Sequence, residues 1–252
     1  MNIEKHVIQT AKKHREKSDD IFHKFIEMTY QLNLTMTYSV KYKYLESEHF
    51  KFRKLLKKAV KENPFSDVLG EAMMDIVSFD KKGLGQCMTP NDISMLLAKI
   101  QSRYRKQGEE NGLVSSGFGG LGGTYYECCV GTGSLTLAQL GEFMTSEAKE
   151  VTVLINDLDE RMLKIAIIQI QYNDSVNNAK KEKIINLIAH CENALIEDCN
   201  PDKVFHHPNP RLIQEPYVKG YYEHVDQLQR EDIFSTLLNR FKDTEQHNNK
   251  AA

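Results

Sequence analysis

Glu127-Cys128-Cys129-Val130-Gly131-Thr132-Gly133-Ser134 is the stretch on which the fold turns. It follows a short strand-like run, Thr124–Glu127, and precedes an apolar segment of helical period from Leu135 to about Met144. Gly131 and Gly133 lack a Cβ, so the backbone between strand and helix can bend sharply and a ligand can lie against it. Glu127 closes the strand at its carboxyl end, the edge where parallel sheets place ligands, and offers a carboxylate to a cationic amine. Asp157, 24 residues after Gly133, closes the next apolar run, Leu154-Ile155-Asn156-Asp157. A second acid at that place suits ribose hydroxyls.

Downstream, the pattern continues as strand 150–156, helix 160–172 and strand 183–190, with Asp159 as the cap of the helix opening at Glu160. Strands and helices alternating at these lengths imply right-handed crossovers and a parallel sheet. The chain after residue 200 is irregular. It closes with an amphipathic helix from about Val225 to Phe241 and a tail expected to be disordered after Lys242.

Upstream, residues 3 to 61 read as helices. Ser18-Asp19-Asp20 reads as an N-cap, followed by Ile21, Phe25, Met28 and Leu32 at helical spacing. A further helical run from Tyr44 to Lys61 carries Leu45, Phe52, Leu55, Leu56 and Val60 on one face. Lys51, Arg53, Lys54, Lys57, Lys58 and Lys61 make the other face basic. That face reads either as a solvated helix surface or as one turned toward phosphates. Asn63-Pro64-Phe65-Ser66-Asp67 breaks the helix, a short helix follows from Val68 to Ser78, and Gly83 to Pro90 forms a loop. Helix 91–104 starts after Pro90. The glycine-rich connection 105–123 is not a P-loop, because no Gly-Lys-Ser/Thr follows it. The division is thus a helical region 1–62, an α/β domain 63–200 and an irregular segment 201–252.

At 252 residues the chain suffices for one large α/β domain with a helical extension. A net charge of -2 excludes overall basicity as a route to nucleic acid, leaving only local patches. The five cysteines lack disulfide or zinc spacing, and the adjacent Cys128 and Cys129 form no C-x-x-C, so a reducing cytoplasm is expected. His190, Cys191, Cys199, His206 and His207 give no recognised metal-ligand quartet. No apolar run is long enough to span a membrane.

The segment from Glu127 to Gly133 resembles the S-adenosylmethionine (SAM) motif of the adenine-N6 DNA methyltransferases, in particular the modification subunits of type I restriction systems. Their pattern is Asp-Pro-x-Cys-Gly-Thr-Gly. Here Glu127 replaces the acid, Cys128 the proline and Val130 the cysteine, while Gly131-Thr132-Gly133 matches as it stands. The resemblance implies that Glu127 faces the methionine amino group of SAM. It implies that Asp157, with Leu158 beside it, holds the ribose. Gly85-Gln86-Cys87-Met88-Thr89-Pro90 resembles the family's Gly-Gln-Phe-x-Thr-Pro element, so Gln86, Met88, Thr89 and Pro90 would cap the cofactor. Asn193, after the third strand, matches an adenine-contacting position. The resemblance covers roughly residues 60 to 198 and implies an α/β, Rossmann-like SAM-methyltransferase sheet with an N-terminal helical region.

An adenine-N6 methyltransferase must also hold a flipped base, which the family does with Asn/Asp-Pro-Pro-Tyr/Phe. This sequence lacks that tetrapeptide. The nearest segment is Pro208-Asn209-Pro210-Arg211, preceded by Asp202–His207, too short and polar for a clear fourth strand. Asn209 and Pro210 are therefore the candidate catalytic residues. Two functions stay open. One is methyl transfer from SAM to adenine in DNA. The other is a catalytically inactive SAM-binding protein that pairs with, or interferes with, a restriction-modification system. Both imply DNA as a partner and leave room for a protein partner that supplies target recognition, or for a homo-oligomer. A nicotinamide-dependent dehydrogenase is disfavoured, because the turn lacks the third glycine of Gly-x-Gly-x-x-Gly.

Overall fold

Asn2 opens the first helix, α1 (Ile3–His14), by accepting the Lys5 N–H at 3.0 Å, which satisfies an otherwise orphaned donor. In α2 (Ser18–Thr35) the cap position is Lys17, which makes no side-chain cap bond. Ser18, Asp19 and Asp20 instead fill the first turn, where the acids complement the helix dipole. A 3₁₀ turn (Val40–Leu45) leads into α3 (Glu46–Glu62). Helix α4 (Val68–Ile76) follows, and α5 (Asn91–Glu110) runs six residues beyond the expected end at 104. Arg105, Lys106 and Gln107 are good helix formers, and nothing before Gly108 stops them. The computed structural model describes residues 2–76, 88–110, 123–178, 182–194 and 204–206. Gln86, Asn209, Pro210 and the expected C-terminal helix lie outside them.

The second half is the expected alternation: β1 (Gly123–Glu127), α6 (Ser134–Thr145), β2 (Glu150–Asn156), α7 (Glu160–Asn173) and β3 (Ile184–His190). These three strands are parallel and adjacent in the order β1-β2-β3. Three residues that read as too short and polar for a strand do form one. β4 (Val204–His206) pairs with β3, and it runs antiparallel. Val204 and His206 are buried, Phe205 stacks on Tyr30 at 5.7 Å, and the pairing supplies partners to what would otherwise be an open edge of β3. The described residues therefore form a mixed α/β protein of seven helices and an open, mostly parallel sheet of four strands.

One face of the sheet, through Tyr125, Val151, Val153, Ile155, Leu187 and Ala189, joins a core that reaches back to Ile3 in α1. The helical region and the sheet thus share one interior. Helix α7 lies at its centre and is buried without a break from Met162 to Ile170, as a helix enclosed on all sides must be. Its one charge there, Lys164, is paired with Glu27 and Glu160. Among the described residues no helix is long and apolar enough to cross a membrane.

Buried histidines make this interior sensitive to acid. Burial pushes His49 and His190 down to about 4. Below pH 6.5 the unfolded chain takes up protons that these two sites refuse, so stability falls until the folded sites titrate near pH 4. Glu127, raised to about 7, acts with the opposite sign between pH 7 and 4.5 and offsets one of the two. Glu48, held down at about 2, adds its own loss only below 4.5. Denaturant titrations are expected to show a shallow decline from pH 6.5 to 4.5 and a steep one just below. A flat profile from pH 6.5 to 4 would contradict these burials.

Candidate functional site

The carboxyl ends of β1, β2 and β3 carry the acids and the glycine turn to one edge of the sheet. A single side chain ties the three ends together. Asn156, 1% exposed, donates from Nδ2 to the carbonyls of Cys128 and Glu192, each at 3.0 Å, and accepts the Glu192 N–H at 3.0 Å. Its backbone carbonyl accepts the Val130 N–H at 2.9 Å, and the Asp157 N–H reaches His190 O at 3.3 Å. The loops that bear Glu127, Asp157 and Asn193 are therefore held in mutual register.

Within the turn the two glycines have different duties. Gly131 has φ +56°, and a Cβ there would meet nothing within 4 Å, so its face is open to a ligand. Gly133 has φ +99°, and a Cβ would lie 3.2 Å from Ala166 Cβ on α7. It is required for helix packing rather than for ligand approach. Gly133→Ala combines a left-handed backbone with that contact and is expected to destabilise by about 2–3 kcal/mol. Gly131→Ala, strained only in the backbone, is expected to cost about 1 kcal/mol. Equal losses in paired urea titrations would refute the distinction.

Asp157 is half-buried and reaches back to the turn. Oδ2 accepts the Gly131 N–H at 2.7 Å and Oδ1 the Asp159 N–H at 2.9 Å. These bonds aim the carboxylate at the turn and leave each oxygen a second lone pair. Asp159 caps α7 as expected, accepting the Arg161 N–H at 2.9 Å. Leu158, beside it, is exposed.

Glu127 is half-buried beside α6. Its Oε2 accepts from the Thr136 hydroxyl and from Tyr125 Oη at 3.1 Å. Burial, with the Asp157 charge adding to it, lifts this carboxyl to about 7 in spite of those donors. A carboxyl so placed gains most from a cation, which restores its ionised form.

Met88, Thr89 and Pro90 lie against the turn from the other side. Ser134 Oγ donates to Thr89 O at 3.0 Å, Ser94 and Ser134 hydroxyls meet at 2.7 Å, and Met88 Sδ is 3.5 Å from the Thr132 hydroxyl. The two segments that the sequence places 40 residues apart are in contact. Asn193 stands at the same edge after β3.

Thr132, which the motif match set among the cofactor-binding residues, turns its side chain inward. It is 2% exposed, and its hydroxyl donates to Asp67 rather than facing a ligand. Asp67, which sequence reading passed over as part of a helix break, is the centre of this buried network. It caps α4 by accepting the Gly70 N–H at 2.8 Å and accepts from Gln169 Nε2 at 2.7 Å. Gln169 also donates to Thr132 O at 2.8 Å and accepts the Leu69 N–H at 2.9 Å. A Cβ on Gly70 would collide with the Asp67 carboxylate. The local signal was Ser66-Asp67 before an apolar helix, a cap signature. Asn156 and Thr136 were also missed. A polar residue that ends an apolar strand was the only trace of the first.

Compared with protein-family models, with curated proteins and with solved structures, the chain matches none.

Proposed function

We propose that the chain binds SAM at this edge as a protein of the adenine-N6 DNA methyltransferase type. The observation that carries the reading is the meeting of Glu127, the open Gly131 backbone, Asp157 and Met88–Pro90 at one place. The residues fit the cofactor's chemistry. Glu127, raised to about 7 with no cation beside it among the described residues, suits the ammonium group. Asp157, fixed by two backbone N–H groups, suits vicinal ribose hydroxyls. Gly131 leaves the close approach that the methionine part requires. Leu158 and Asn193 flank the position of the adenine ring, and Met88–Pro90 close over the turn. SAM, when bound, supplies an electrophilic methyl group. The residues of this edge bind and orient it, and transfer to adenine in DNA would fall to Asn209 and Pro210.

One observation favours the second reading, a SAM-binding protein without catalysis. In a doubly wound sheet the fourth strand lies beside the first and delivers its following loop to the ligand edge. Here β4 pairs with the far side of β3 and runs away from that edge. Calorimetric titration with SAM, followed by incubation with labelled SAM and unmodified adenine-containing DNA, separates the cases. Binding with transfer supports the enzyme, binding without transfer supports the inactive form, and absence of binding removes both.

A further inference from the structure

Between His49 and Lys61, α3 carries six cations and no carboxylate. Part of that face is the wall of a cleft of about 540 Å³, lined by Phe50, Arg53, Lys54 and Lys57 of α3, by α2 residues including Asn33, and by the end of α7 with the turn after it. Among the described residues no acidic side chain lines it. Arg53 Nε donates to Tyr172 Oη at 3.0 Å, which fixes the guanidinium against the wall. Asn33 Nδ2 donates to Gln171 Oε1 at 2.9 Å, which sets an amide pair beside the apolar Leu32 and Met36 in the lining. Lys54 Nζ stands 4.4 Å above the ring of Phe50, which is 58% exposed. Among the described residues neither Lys54 nor Lys57 has an ion-pair partner.

We infer that this cleft takes the phosphate backbone of a nucleic-acid strand. Convergent cations without counter-charges repel one another, and a polyanion relieves that repulsion while releasing its own counterions. An exposed aromatic ring among cations adds a stacking face for a base. The stripe from Phe50 to Lys61 extends roughly 16 Å along the helix, about five steps of a strand rather than one nucleotide. A bilayer surface is a poorer match, because a concave cleft cannot lie flat on it. Tyr172 lies six residues, roughly 9 Å, along α7 from Ala166, where the glycine turn packs, and none of the described residues lining the cleft belongs to the proposed SAM edge. The inference therefore stands apart from the cofactor reading.

The test is fluorescence anisotropy with labelled 20-base single strands and duplexes over a range of salt, without cofactor. The wild-type chain is compared with the Lys54→Glu/Lys57→Glu double variant, whose exposed side chains can change without loss of fold, as a thermal melt checks. The wild type should bind, with affinity that falls as salt rises. The double variant should bind at least tenfold more weakly, with a log–log salt slope smaller by about 1.5–2, and its SAM titration should equal the wild type's. Equal affinity and slope in the two proteins would overturn the inference. So would mononucleotide binding as tight as that of the 20-mer, or binding to phosphatidylserine vesicles in preference to oligonucleotides.

Discussion

Asp67→Ala is expected to remove about 3 kcal/mol of stability, read as a fall of roughly 6–12 °C in Tm. The reason is the number of segments that depend on one carboxylate. Asp67 is 4% exposed and accepts from the Gly70 N–H, Gln169 Nε2 and the Thr132 hydroxyl. Alanine strands the first turn of α4 without its cap and leaves buried donors facing a void, and each such loss costs about 1 kcal/mol or more. Asp67→Asn keeps the shape and one acceptor oxygen, with Thr132 free to turn its hydroxyl and accept. It should recover most of the loss. If the alanine variant melts within 2–3 °C of the wild type, the network does not hold the turn.

Glu127→Gln is expected to weaken SAM binding about 100-fold on the proposed reading, because it removes the charge that meets the ammonium group. The same change should raise the stability of the ligand-free protein at pH 8. A carboxyl whose folded pKa is raised to about 7 favours folding while protonated, and this contribution is lost as pH rises from 4.5 through 7. Glutamine keeps the hydrogen-bonding shape and ends that loss. The wild-type affinity should fall about tenfold per unit below pH 7, since the carboxyl must release its proton to receive a cation. In the variant this dependence should vanish. An unchanged titration in Glu127→Gln would remove Glu127 from the site.

Much of the architecture was legible because it rests on local rules. The strand-turn-helix periodicity located β1, β2 and β3 and the helices between them, and Asp159 was found as a cap from its place before Glu160. The resemblance set Met88–Pro90 over the cofactor; the hydrogen bonds from Thr132 and Ser134 join that segment to the glycine turn, a contact no local window of sequence contains. What was not legible depends on partners distant in the chain. Asp67 meets Thr132 across 65 residues and Gln169 across 102, and no window of sequence contains those pairs. β4 was missed because three residues carry too little pattern, and its pairing is decided by the open edge of β3 and by Tyr30. The burial of Thr132 follows from the same cause. The family motif set it at the cofactor, and a distant carboxylate turned its side chain inward.

Asn156 has a consequence for how the edge moves. Three loops that end separate strands are usually free to fluctuate one by one. Here an amide bonded to Cys128 O, Glu192 O and Glu192 N joins them. To open one loop is to break the bonds that anchor the next, so opening is a concerted event with a single, larger free energy. The acids at this edge then form a fixed template: a ligand either fits their spacing or finds no loop that will bend to meet it.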